Sequence, residues 1–167
     1  MDIEFSKLVL EERERSFELY KTYMKPVIED AFGWDEKFQR NGFESNLDPD
    51  WFSWILVQSE KGGYLKAGLV CSRFKRRSLH IHLFLVFAEK QRKRIGHSAV
   101  QKLKEQAYTE KTNVTLSCFK NNIPALSFYK SLGFVVESEE EYFYRFVFRN
   151  KNTAALLKTL YSKFIKN

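Results

Sequence analysis

The sequence predicts one mixed α/β domain whose sheet is mostly antiparallel, contains one parallel strand pair and is flanked by helices. Three observations carry this. Runs of β-branched and aromatic residues separated by short turns fill the middle of the chain, helically periodic segments bracket them, and a strand-helix-strand unit spans residues 78–119. A chain of 167 residues is about one domain long and can bury roughly two-thirds of its unfolded surface without a disulfide or metal. Residues 1–167 are therefore read as a single domain, with 151–167 as a C-terminal helical extension.

Taken in order, residues 3–10 have strand character. Residues 12–23 place Phe17, Leu19, Tyr20 and Tyr23 at helical spacing, and Pro26 marks the start of a second, short helix. Residues 32–39 form a turn into another helix, and 46–50 a loop rich in Asn, Asp and Pro. Strands at 51–58, 64–73 and 78–87, joined by short turns, make a meander. A helix at 96–108 carries Val100, Leu103 and Ala107 on one face; a strand at 113–119 and a helix at 124–132, stopped by Gly133, follow. The crossover within 78–119 makes its two strands parallel. Strands at 134–137 and 142–148 precede a helix at 153–165, whose apolar face packs on its own sheet or on a second subunit, in a monomer or homodimer.

The formal net charge of +7 favours an anionic ligand without distinguishing nucleic acid, membrane or phosphorylated cofactor. Two basic runs stand out, Arg73-Phe74-Lys75-Arg76-Arg77 and Lys90-Gln91-Arg92-Lys93-Arg94, and acidic residues collect at 137–141. Each run taken alone reads as a solvated turn. Cys71 and Cys118 lie in apolar surroundings without the paired spacing of a zinc site or disulfide framework. Reduced buried thiols, no metal and a cytoplasmic setting are expected. The first fifteen residues mix charges into apolar positions, and no window approaches eighteen consecutive apolar residues, so neither secretion signal nor membrane span is expected.

Two segments carry chemistry. The first, from Val86 through Gln91, Arg92, Lys93, Arg94, Ile95 and Gly96 to His97, hands a strand over to a helix. A helix N-terminus leaves backbone N–H groups unpaired and carries partial positive charge, so it can hold a pyrophosphate, with glycine permitting close approach. The second runs from Asn121 to Phe134, again following a strand and opening a helix, with Asn122 at the turn, where it bonds a cofactor or caps the helix, and Tyr129 on the helix.

Together these segments resemble the GNAT acyltransferase superfamily. Gln91-x-x-Arg94-x-Gly96 follows that family's first signature with arginine in place of the first glycine, and Asn122, Ala125, Tyr129, Gly133 and Phe134 follow the second. The resemblance implies a sheet with a splayed parallel pair, acetyl-CoA as cofactor and an amine as acceptor. It implies that backbone groups of Phe84, Leu85 and Val86 bind pantetheine and polarise the thioester, and that Gln91 through His97 hold the pyrophosphate. Tyr129 is implied to protonate the departing sulfur. Trp34, Glu36 and Gln39 fall where the family forms part of its acceptor pocket, and His80 falls where the histone acetyltransferase branch carries its catalytic glutamate.

Acyl transfer from a thioester requires a deprotonated amine, a donor for the developing oxyanion and a proton for the leaving thiolate. His80 and His82 are candidate bases, and two-residue alternation puts them on one strand face with Phe84 and Val86. A structural histidine and a packed tyrosine are the alternatives for these positions. The acidic run at 137–141 is a candidate attractor for a cationic amine. Two other functions remain open from residues alone: a nucleic-acid-binding module using the basic runs, and a catalytically silent acyl-CoA-binding protein.

Overall fold

The computed structural model describes residues 2–151. Seven strands and four helices follow in the order β1 (Ile3–Lys7), α1 (Arg13–Phe32), α2 (Glu36–Asn46), β2 (Phe52–Gln58), β3 (Tyr64–Lys75), β4 (Ser78–Val86), α3 (Ile95–Thr109), β5 (Asn113–Phe119), α4 (Ile123–Ser131), β6 (Val135–Glu139) and β7 (Phe143–Phe148). The strands form one sheet ordered β1-β2-β3-β4-β5-β7-β6. Every pairing is antiparallel except β4 with β5. The helix expected at 153–165 lies outside the described residues.

Local chemistry sets the element ends. Asp35 caps α2 by accepting the Phe38 N–H at 2.7 Å, and Asn122 caps α4 by accepting the Ala125 N–H at 3.3 Å. The expectation that Pro26 starts a new helix is corrected: α1 runs unbroken from Arg13 to Phe32. Proline removes one helical donor, but Pro26 is exposed, so the carbonyl it frees faces water, while buried Phe17 and Ile28 anchor the helix on either side.

Two apolar layers sandwich the sheet. On one face α1 and α2 bury Phe17 and Phe43 against Phe52, Trp54, Leu69, Cys71, Leu83 and Leu85. On the other, α3 and α4 bury Ile95, Val100, Leu103 and Leu126 against Val70, Leu79, Ile81 and Val114. Each of these larger side chains contributes about 1.5–3 kcal/mol by leaving water.

The face assignments expose an irregularity in β4. Cys71 pairs with Leu83 but Ser72 pairs with Ile81, so His82 is an extra residue, a β-bulge. Before it, Leu79 and Ile81 point to the α3 side; after it, Leu83 and Leu85 point to the α1/α2 side, and Phe84 and Val86 turn toward α3 and α4. Strict alternation from His80 to Val86 is therefore overturned. His80 and His82 lie on the α1/α2 side, and Phe84 and Val86 on the opposite face.

Candidate active site

β4 and β5 pair only from Ser78 with Asn113 to Ile81 with Leu116. Beyond the bulge the strands part, and β5 continues against β7 alone. The Phe87 N–H donates to Ala67 O on β3 at 2.9 Å. By the alternation of strand hydrogen bonds, Phe84 and Val86 present their backbone groups to the opposite edge, which β5 has left. Leu85 faces β3 instead: its carbonyl lies 2.1 Å from where a Cβ on Gly68 would sit, so only glycine allows the two strands this close.

The gap opens into a cavity of about 470 Å³ lined by β4, β5, α1, α2 and α4. Its walls include His80, His82, Phe84, Ser117, Cys118, Asn122, Ala125 and Tyr129. The α1 helix arches over it and is pinned at both strand ends. Tyr23 Oη accepts the Ala88 N–H at 2.8 Å after β4, and Asn121 Nδ2 donates to Val27 O at 2.9 Å and to Asp30 Oδ2 at 2.8 Å after β5. These pins were not singled out from sequence, because the pairs lie 65 and 94 positions apart.

At the mouth, the loop between β4 and α3 has an unusual backbone. Arg92 and Arg94 adopt left-handed conformations with φ of 59° and 61°. Arginine at the glycine position of the motif thus keeps the glycine-like turn, at a steric cost of about 1–2 kcal/mol per residue. Ser98 is the first helical donor, bonding Arg94 O at 3.0 Å, so helix geometry leaves the Ile95, Gly96 and His97 N–H groups at the open end of α3. Arg92, Lys93, Arg94 and His97 are exposed around them. A Cβ on Gly96 would come 3.3 Å from Phe128 and 3.5 Å from Val86, so this glycine lets α3 sit close to α4 and β4. Gln91 Nε2 donates to Val86 O at 2.9 Å, tying the loop to the end of β4.

Tyr129 is 7% exposed and packs edge-on to Phe128 and Phe134. Its hydroxyl makes no hydrogen bond among the described residues, and burial raises its pKa, keeping the phenol protonated. Cys118 beside it is pushed up to about 11 by burial, and Cys71 to about 12. Both thiols are free and buried.

His80 Nδ1 is hydrogen-bonded to Thr115 Oγ1 at 2.9 Å, and its ring meets that of His82 edge-on, 4.5 Å between centroids. His82 stacks on Trp51, whose ring also carries the Arg73 guanidinium 3.9 Å from its centroid. The buried His82 Nε2 has no partner among the described residues. Burial brings both imidazoles down to about 4, helped at His80 by His82, Lys75, Arg145 and Arg73, and at His82 by Lys75 and Arg73. Both are neutral at pH 7.

The three residues assigned to the acceptor pocket separate. Gln39 lines the cavity and accepts the Tyr20 hydroxyl at 2.6 Å. Trp34 and Glu36 are not among the lining residues. They bond each other at 3.0 Å, and Glu36 pairs with Lys21 at 2.9 Å. From the acidic run, Glu137, Glu139 and Glu140 pair with Arg149, Lys120 and Arg145, and none of the run's carboxylates lines the cavity. Among the described residues no group of His, Cys, Asp and Glu can hold a metal, and no helix is long and apolar enough to cross a membrane.

Comparison with known proteins places this architecture. No curated protein sequence matches the chain. Among solved structures, the PaiA N-acetyltransferase of Thermoplasma acidophilum in complex with coenzyme A superposes with a TM-score of 0.65 at 17% identity, covering 90% of this chain and 100% of that one. The spermidine N-acetyltransferase of Vibrio cholerae, in complex with CoA and spermine, gives 0.60 at 14%, covering 91% and 98%. A domain from Methanocaldococcus jannaschii gives 0.65 at 18%, covering 89% and 99%. These likenesses establish the fold. The model of the acetyltransferase (GNAT) family matches residues 9–134, three-quarters of the chain, and with the parted β4/β5 pair and the loop leading into α3 it is decisive: the chain belongs to the acetyltransferase (GNAT) family.

Proposed function

We propose that the protein is an acetyl-CoA-dependent N-acetyltransferase that moves the acetyl group to a primary amine by direct attack on the thioester. The observation that carries this reading is the joining of an anion-receptive loop, Gln91 to His97, to a strand edge at Phe84 and Val86 that lacks a partner strand. The loop residues fit a pyrophosphate: open N–H groups at the start of a fifteen-residue helix, with Arg92, Lys93 and Arg94 around them. Acetyl-CoA supplies the activated acetyl thioester. Backbone N–H groups of the parted strand orient its carbonyl and stabilise developing negative charge.

Tyr129 holds a proton at a phenol without a partner on the cavity wall, suited to the departing sulfur. Cys118 is the cavity's thiol, and burial holds it protonated and poorly nucleophilic, which favours direct transfer over an acyl-enzyme. His80 and His82 are neutral and accept hydrogen bonds, but imidazoles held near 4 are weak bases. The amine therefore arrives neutral or loses its proton to water, with the histidines orienting it. Asn122 and Ala125 border the cavity from α4, where capping already uses the Asn122 carbonyl oxygen.

The test is calorimetric titration with acetyl-CoA followed by a free-thiol assay with amines. We expect binding, stabilisation by mass action and amine-dependent thiol release. Binding without release identifies a silent acyl-CoA-binding protein; absence of binding at near-millimolar ligand removes the reading.

A further inference from the structure

The cavity proposed to receive the amine is lined without Asp, Glu, Lys or Arg among the described residues, and this constrains its occupant. Its acceptor side, formed by α1 and α2, is mainly aromatic and aliphatic, with Tyr20, Met24, Ile28, Phe32, Phe38 and Phe43 in the wall; its polar members there are the uncharged amides Gln39, already bonded to Tyr20, and Asn46. Five carboxylates of these helices are committed elsewhere, Glu14, Glu18 and Glu44 to Arg40, Glu36 to Lys21, and Asp30 to Asn121, and Glu29 is exposed and outside the cavity lining. The charges acting on the histidines at its inner end are cationic, Arg73, Lys75 and Arg145.

A second observation comes from α2. Gly42 lies mid-helix, where glycine is less favourable than alanine. It faces the cavity, and a Cβ there would meet only Asn46, at 3.9 Å. Among the described residues no packing demands glycine at this position. The space it leaves extends the cavity at its acceptor end.

We propose that the acceptor is an apolar monoamine, an aromatic or bulky aliphatic ring or chain bearing one amino group, and that Gly42 sets the size it can reach. The inference rests on the acetyl-transfer reading and narrows it. An extended polyamine would bury its second ammonium against aromatic rings, with no carboxylate lining the wall among the described residues to meet it. A monoamine places its apolar part among those rings and its single nitrogen at the inner end of the cavity, beside His80 and His82. Arg73, Lys75 and Arg145 disfavour an additional cation at this end, which suits a nitrogen that arrives as the neutral amine.

The experiment compares 2-phenylethylamine, ethylamine and spermidine by free-thiol release from acetyl-CoA, and by calorimetric binding to the CoA-saturated protein. The expected result is kcat/KM and affinity at least tenfold higher for phenylethylamine than for spermidine. Gly42→Leu should shift the phenylethylamine-to-ethylamine ratio of kcat/KM at least tenfold toward ethylamine while acetyl-CoA affinity holds. Leucine is a stronger helix former, so folding is retained. Preference for spermidine, or an unchanged ratio in Gly42→Leu, overturns the monoamine assignment and leaves acetyl transfer standing. If no amine releases thiol, the transfer reading falls, and the binding ratio alone decides the acceptor class: tighter phenylethylamine supports it, equal or tighter spermidine overturns it.

Discussion

Tyr129 joins a buried ring to a place on the cavity wall, and its hydroxyl makes no hydrogen bond among the described residues. Tyr129→Phe therefore removes a proton donor without removing a native contact. We expect turnover to fall about ten- to a thousandfold, with melting temperature and acetyl-CoA affinity near the parent. Steady-state kinetics on the folded variant check this, and near-normal turnover returns Tyr129 to a packing role. Tyr129 was reached from sequence because its motif is contiguous. The neighbours that set its protonation, Phe134, Phe146 and Cys118, come from other elements, and sequence spacing does not show which of them surround the hydroxyl.

At the scale of elements, the loop entering α3 and the bulge in β4 do most to shape the site. Arg94 holds the left-handed turn that glycine adopts freely, so Arg94→Gly keeps the turn and deletes only the charge. Calorimetry should show acetyl-CoA affinity weakened about tenfold, the size of one charge-assisted hydrogen bond, and a shallower dependence on salt. Unchanged affinity would limit Arg94 to a conformational role. On α2, Gly42→Ala adds helix propensity where there is room for a Cβ. A gain of about 0.5–1 kcal/mol is expected, which scanning calorimetry reads as a rise of about 1–4 °C. The loop was legible because its signature is local. The bulge was not, since it arises from unequal pairing of β4 with β3 and leaves no mark in the alternation of β4 itself.

For the whole molecule, the paired layers and their buried histidines link stability to pH. His80 and His82 fall from 6.5 to about 4 on folding, chiefly by burial, so the native state binds fewer protons than the unfolded chain between these values. Their contribution is present in full above pH 6.5 and is lost as pH falls toward 4. Melting temperatures measured from pH 7.5 to 4.5 should decline, and the slope should flatten in the double variant His80→Asn with His82→Asn. The lower limit stays clear of the carboxylates of Glu12, Glu14 and Glu36, whose lowered pKa values bring their own acid loss below 4.5. An undiminished slope in the double variant refutes the assignment. The sequence by itself determined the mixed fold, the order of the seven strands, the parallel pair and the two signature segments, because each is written in short-range periodicity, turn residues and contiguous motifs. The tertiary structure alone decided that α1 passes through Pro26, that the histidines leave the face of Phe84 and Val86, that Gln39 reaches the cavity while Trp34 and Glu36 pair away from it, and that no carboxylate lines the cavity among the described residues. Each of these depends on which distant segments share a face and which charges find partners, and that is settled only when the sheet and its two helical layers close together.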